Sequence, residues 1–263
     1  MEHIKSKDNI LIKDIKKLKE KKYRISCNMF LVEGFRFAQE ALDSNFEVVN
    51  IFISEKVELK YENSSVKNKL QNNTKVYSVS DSLFKSICDT ENPQGIIAVV
   101  RNKPVEIKYD HGFYMLADKI QDPGNMGTII RTAHAAGALG VIITKGTVDI
   151  YNEKTLRATM GSIFKIPVLL DEDLSLVKKL RDNGFKLVAS SLDCDKNFFE
   201  VDLKEKVIIS VGNEGNGISN QVFDLCDLKI KIPMPGDAES LNVAVAASIM
   251  MYEVVRQKNK IIF

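Results

Sequence analysis

Two hydrophobic rhythms divide this chain. Near the start, Leu11, Ile15 and Leu18 recur at i, i+4 and i+7 and predict an amphipathic helix within residues 1–24. Short apolar runs follow. Met29–Val32, Val48–Ser54, Lys75–Val79 and Ile96–Val100 read as strands, Gly34–Asp43 as a helix, and Ser80 as the cap of a helix over Ser82–Cys88. The Asn- and Lys-rich stretch 60–73 carries little signal, and Asn92-Pro93-Gln94-Gly95 is a turn. Beyond residue 110 the alternation becomes regular. Strands are predicted at Phe113–Ala117, Gly140–Thr144, Pro167–Leu170, Phe185–Ser190, Val207–Val211 and Leu228–Ile232. Helices are predicted at Gly127–Ala136, Asn152–Gly161, Leu174–Asn183, Asn220–Leu225 and Leu241–Gln257.

Strands this apolar, alternating with helices, imply an α/β fold with a mostly parallel sheet covered on both faces. Arg101–Asp110, with Pro104 and alternating charges, reads as a linker between a first domain at 1–103 and a second at 104–263. Small-molecule sites in such sheets lie beyond the carboxyl ends of the strands. Three unusual loops occupy that position in the second half.

Composition narrows the classes. Apolar residues make up 44% and charged residues 27%, as in ordinary globular proteins. The longest apolar tract, Leu241–Val255, is interrupted by Asn242, Ser248, Tyr252 and Glu253 and is too short for a membrane span. The opening residues lack the charged-then-apolar pattern of a secretory leader. Four scattered cysteines without a CxxC pair point to reduced thiols and a cytoplasmic setting, and three scattered histidines give no metal set. Net charge is only +2, yet residues 1–24 hold nine Lys/Arg against four acids, a charge run suited to phosphates or simply to a solvated helix face.

The first loop, Asp118–Gly127, contains the turn Asp122-Pro123-Gly124; Asn125 is a candidate cap for the helix that carries Arg131. By itself Arg131 reads first as a surface cation and only second as a functional one. The second loop, Gly212-Asn213-Glu214-Gly215-Asn216-Gly217, follows a strand and precedes a helix, which invites a dinucleotide reading. Its glycine order is G-x-x-G-x-G, and Glu214 would repel a pyrophosphate, so a nicotinamide-dependent oxidoreductase is disfavoured. The third loop runs Ile232-Pro233-Met234-Pro235-Gly236 to Ser240, a candidate N-cap, and then Leu241 and Asn242 at the head of an apolar helix. Alone, that stretch also fits a capped core helix.

Together, Asn125…Arg131, Gly212–Gly217 and Ile232…Ser240-Leu241-Asn242-Val243-Ala244 resemble, in order and spacing, the three motifs of the SpoU/TrmH family of RNA ribose 2′-O-methyltransferases, members of the SPOUT class. Phe30–Gly34 and Asn92–Gly95 are similar to that family's L30e-like substrate-binding domain. Ala244 departs from the pattern, since many members have Ser there. The resemblance implies a C-terminal trefoil knot, a homodimer formed through the knot region and last helix, and S-adenosylmethionine as methyl donor without a metal. It assigns donor contacts to Gly212, Asn213, Gly217, Ile232, Met234, Ser240, Leu241 and Asn242, and catalysis to Arg131 with Asn125, Glu214, Ser240 and Asn242.

Methyl transfer from a sulfonium to a hydroxyl is an in-line displacement that demands a positioned nucleophile and help with its proton. Arginine stays protonated. The expectation is therefore that Arg131 anchors a neighbouring phosphate and polarises the hydroxyl, with Glu214 and Asn125 orienting it. Ser240 and Asn242 would hold Glu214, the loop or the substrate. Ribosomal RNA, 23S in particular, is preferred over transfer RNA because of the separate N-terminal domain. A catalytically inactive RNA-binding protein is the alternative from another class.

Overall fold

The computed structural model describes residues 1–263 except 89, 192, 195, 237 and 260–263. The chain divides into two compact units, Met1–Pro104 with Tyr151–Phe164, and Val105–Ile150 with Lys165–Phe263.

The first unit opens with β1 (Glu2–Ile4), α1 (Ile10–Lys17) and α2 (Lys21–Cys27), then β2 (Met29–Glu33), α3 (Phe35–Leu42) and β3 (Glu47–Ser54). It continues through α4 (Glu58–Glu62), α5 (Ser65–Asn68), β4 (Lys75–Val79), α6 (Asp81–Ile87) and β5 (Ile96–Arg101). The sheet order is β1-β4-β3-β5-β2, parallel at β1–β4–β3 and antiparallel at β3–β5–β2. The basic helix expected within residues 1–24 is two helices. Asn9 caps the first by accepting from Leu11 N at 2.8 Å, and it ends at Leu18. The buried stripe is Ile12, Ile15 and Leu18, with Leu11 only partly covered, because all of these pack against Phe84, Ile87 and Ile97 from one side. β1 was not anticipated; three residues are too few for alternation to register.

In the second unit come β6 (Phe113–Ala117), α7 (Pro123–Ala135) and β7 (Gly140–Thr144). The helix α8 (Glu153–Thr159) is next in the chain but belongs to the first unit, where Tyr151 stacks on Phe30 at 4.5 Å and Phe164 contacts Phe30, Phe37 and Phe46. Sequence reading left that segment in the second domain, since nothing local marks an excursion held by aromatic contacts distant in the chain. The second unit resumes with β8 (Val168–Asp171), α9 (Ser175–Asp182), β9 (Lys186–Ser190), β10 (Val207–Val211), α10 (Asn220–Phe223), β11 (Leu228–Ile230) and α11 (Val243–Asn259).

Its six strands are all parallel, in the order β11-β9-β10-β6-β7-β8. Alternate residues Tyr114, Leu116, Ile142, Leu187 and Ile208 pack with Leu174, which precedes α9, with Val177 and Leu180 of α9, and with Val222 of α10. The helices α7 and α11 pack on one another, and α11 also lies on β10 and β6. The central strands β6 and β10 are buried along their whole length, which explains sequences that are apolar at every position except Ser210. Both carboxyl ends therefore open into loops at one edge of the same sheet, and those loops carry the site.

Candidate active site

Directly after strand β6 comes Asp118, a fully buried carboxylate. Its Oδ1 accepts from Thr144 Oγ1 at 2.7 Å and its Oδ2 from Ser219 N at 2.6 Å. Thr144 Oγ1 in turn accepts from Lys119 N at 3.0 Å, holding a residue with φ +56°. One side chain thus ties the ends of β6 and β7 to the far side of the second loop. A buried charge is tolerated only when so paired. By sequence Asp118 is simply the first residue of the first loop. A carboxylate placed immediately after five consecutive buried residues was the available signal.

The second loop is a closed ring of hydrogen bonds. Asn213 and Gly217 exchange both main-chain bonds at 2.9 Å. Asn213 Oδ1 accepts from Gly215 N at 3.0 Å and Asn216 N at 2.9 Å, while its Nδ2 donates to Lys119 O at 2.9 Å. Gly212 sits directly beneath this ring. A Cβ there would lie 2.1 Å from Gly217 C and Ile218 N, so backbone meets backbone and only glycine fits.

Glu214, at the loop's tip, is turned back to the first loop. Its Oε1 accepts from Asn125 Nδ2 at 3.0 Å and Asp122 N at 3.3 Å, and its Oε2 from Gln121 N at 3.2 Å. Desolvation alone would push this carboxyl up, but the Asn125 amide and the backbone N–H groups outweigh it and hold it below its ordinary value. Asn125 Oδ1 accepts from Asn242 Nδ2 at 3.0 Å, and Asn242 Oδ1 accepts from Ala244 N at 2.9 Å and Val245 N at 3.3 Å. Three side chains, Asn242, Asn125 and Glu214, therefore join all three loops.

Two expected caps are reassigned by this geometry. Asp122, not Asn125, caps α7, accepting from Asn125 N at 2.8 Å; Pro123 supplies the first helical position, which leaves the Asn125 side chain free to bridge loops. Asn242, not Ser240, caps α11, which accordingly begins at Val243 rather than Leu241. Ser240 is exposed and forms no hydrogen bond with a described residue, so here it does not hold Glu214. Arg131 lies on the solvent face of α7 with Thr128 and Ala135, and its guanidinium has no ion pair or hydrogen bond among the described residues.

In the third loop Ile232 and Met234 are half-buried, and Leu241 is exposed. Among the described residues of 232–241, none makes a main-chain hydrogen bond. A Cβ at Gly217 or Gly236 would meet nothing within 4 Å. The third loop thus offers free amides and carbonyls beside open space, the donor set that a purine nucleoside group requires.

The profile of the SpoU rRNA Methylase family matches residues 112–252, and that of the MRM3-like substrate binding domain matches residues 9–98. The 23S rRNA (guanosine(2553)-2′-O)-methyltransferase RlmP of Bacillus subtilis is 38% identical over 97% of this chain and 99% of its own. A solved rRNA methyltransferase of Sinorhizobium meliloti with bound AdoMet superposes with a TM-score of 0.86 at 31% identity, over 97% of each chain. AviRb, a SpoU methyltransferase of Streptomyces viridochromogenes in complex with AdoMet, gives a TM-score of 0.86 at 30% identity, over 95% of this chain and 98% of its own.

Proposed function

The chain belongs to the SpoU rRNA methylase family, and from that premise we propose that it methylates the ribose 2′-hydroxyl of one nucleotide of 23S ribosomal RNA. It is an RNA 2′-O-ribose methyltransferase that uses S-adenosylmethionine. The single observation that carries the site assignment is the Asn242–Asn125–Glu214 relay, which fixes three loops around open space while leaving Arg131 unpaired.

When bound, S-adenosylmethionine supplies a methyl group made electrophilic by its sulfonium. Main-chain groups of Ile232, Met234, Ser240 and Leu241 would hold its adenosine, with Gly212, Asn213 and Gly217 forming the opposite wall and Asn242 fixing the end of the third loop. Arg131 takes the phosphate next to the target ribose and donates to the 2′-hydroxyl; being permanently protonated, it polarises that oxygen, whose proton is released to solvent water, rather than accepting the proton itself. Both Glu214 oxygens accept N–H bonds from the first loop, so Glu214 works as a brace and not as the general base. Ser240, exposed and unbonded, remains available to substrate or donor.

The finer architecture belongs to the same proposal. The first unit is L30e-like. The segment after β11, an edge strand, returns to lay α11 over β10, β6 and α7, a path that supports a C-terminal trefoil knot. Leu241, Val245 and Tyr252, at i, i+4 and i+11, are 37%, 48% and 51% exposed and form an apolar stripe suited to a homodimer interface. No described helix is long and apolar enough to cross a membrane, and the four cysteines are not joined in disulfides, which supports a cytoplasmic setting.

The test is methyl transfer from labelled S-adenosylmethionine to 23S rRNA from cells lacking this gene, with 2′-O-methyl mapping. Label confined to one ribose is the expected result. Label on transfer RNA alone would overturn the substrate assignment, and donor binding without any transfer would favour an inactive RNA-binding protein.

A further inference from the structure

The first unit contains a cavity of about 380 Å³ that the methyl-transfer site does not use. Volumes of about 300–1,000 Å³ are typical of small-molecule sites. Its walls come from the turn between α1 and α2, from β2 and β5, from the end of α6 and from the start of α8. Leu18, Leu31, Ile87 and Ile97 give it an apolar lining. Beneath it, the buried Arg24 is held by the carbonyls of Leu18 and Lys19, at 2.8 and 2.6 Å from Nη1.

The polar atoms at the cavity are mostly spoken for. Lys19 Nζ donates to Cys88 O at 3.1 Å, and Asn152 caps α8 through Thr155 N at 2.9 Å. Tyr151 donates to Asn102 Oδ1 at 2.8 Å. Glu33 and Lys154 differ among the described residues. Glu33 is half-buried and accepts from Thr90 Oγ1 through Oε1 alone, so its Oε2 has no partner. Lys154 is exposed and its ammonium is unpaired. An apolar slot with one free carboxylate oxygen inside and one free cation at its rim has a specific complement: a flat ring that carries N–H donors on one edge, attached to a phosphate.

Resting on the RNA-methyltransferase reading, we infer that this cavity captures a single unstacked guanosine of the RNA substrate, with its N–H edge on Glu33 and its phosphate on Lys154. Guanine suits a carboxylate best among the bases because its ring N1–H and exocyclic N2–H lie side by side. Sequence-specific RNA recognition commonly works on bases splayed out of the stack in this manner. The capture site lies outside the three loops of the methyl-transfer site and selects the RNA rather than reacting with it.

The experiment measures affinity of the full-length protein for unmodified 23S rRNA transcript, separately from methyl transfer. Glu33→Gln keeps an acceptor for Thr90 but loses the carboxylate, and should weaken binding about tenfold, the usual effect of removing a charge-assisted hydrogen bond. Lys154→Ala should lower the salt slope by about one phosphate contact. Lys75→Ala, on an exposed strand position away from the cavity, is the control. Thermal melts establish that each variant is folded. Interference mapping with inosine, which lacks the N2 amino group, should reveal one guanosine whose replacement impairs binding to the wild type but not to Glu33→Gln. Identical interference patterns and unchanged affinity in both cavity variants would overturn the inference even where methylation proceeds normally. Absent methyl transfer by the wild-type protein, together with weakened binding in the variants, would instead overturn the methyltransferase reading and leave the cavity assignment standing.

Discussion

Replacing Gly212 by alanine tests whether the second loop must lie directly on the end of β10. The new Cβ would stand 2.1 Å from Gly217 C and Ile218 N and 2.3 Å from Gly217 O. To reach ordinary contact near 3.4 Å, that backbone must retreat by roughly 1.3 Å. The loop has no such freedom, because Glu214 at its tip is bonded to the first loop at 3.0, 3.2 and 3.3 Å. A shift of that size breaks two of these bonds. At about 1.5 kcal/mol for each bond to a charged group, the loss is about 3 kcal/mol, or about a hundredfold in any affinity that depends on the assembled loops. Overpacking itself costs about 1–3 kcal/mol, which lowers Tm by about 2–10 °C in a protein of this size. Calorimetric titration with S-adenosylmethionine, paired with a thermal melt, reads both quantities. A Gly212→Ala protein that binds the donor within threefold of wild type would refute the close-packing argument.

Further outcomes follow from the same geometry. Arg131→Ala should lower the methylation rate at least a hundredfold while donor affinity and Tm stay at wild-type values, since the side chain is exposed and makes no protein contact to lose; retained turnover removes its catalytic assignment. The folded-state pKa of Glu214 is depressed from 4.5, so its bracing is fully present above that value and is lost as pH falls through the lower folded value. Melting curves of wild type and Glu214→Gln should accordingly differ near neutrality and converge in acid; a constant gap would mean that the carboxylate charge is irrelevant. Charge reversal at Lys16, Lys17, Lys21 and Lys22, all exposed, should reduce both RNA affinity and its salt slope, and unchanged slopes would take α1 and α2 out of the RNA contact. Val245→Asp on the exposed stripe of α11 should convert a dimer to a monomer in sedimentation, whereas an unaltered mass would move the interface elsewhere.

Much of this architecture was legible in the residues because it rests on local physics. β6, β7 and β10 are five-residue, mostly apolar strands, and such runs alternating with helices fit a parallel sheet buried on both faces. The glycines around Glu214 and the prolines before Gly236 marked the second and third loops, since those residue types are chosen for what they permit or forbid in the backbone. Tertiary structure decided the rest. Asp122 and Asn125 are both acceptable caps by residue type, and so are Ser240 and Asn242. Only the fold brings Asn242 within 3.0 Å of Asn125, 117 positions away, and so determines which side chain caps and which one bridges. In the same way, the attachment of 151–164 to the first unit depends on Phe30 meeting Tyr151 and Phe164, and Asp118 gains its role from Thr144 and Ser219. A hydrogen bond or ring contact between distant positions leaves no periodic trace along the chain. Its partners become identifiable only when the strands that carry them are set side by side.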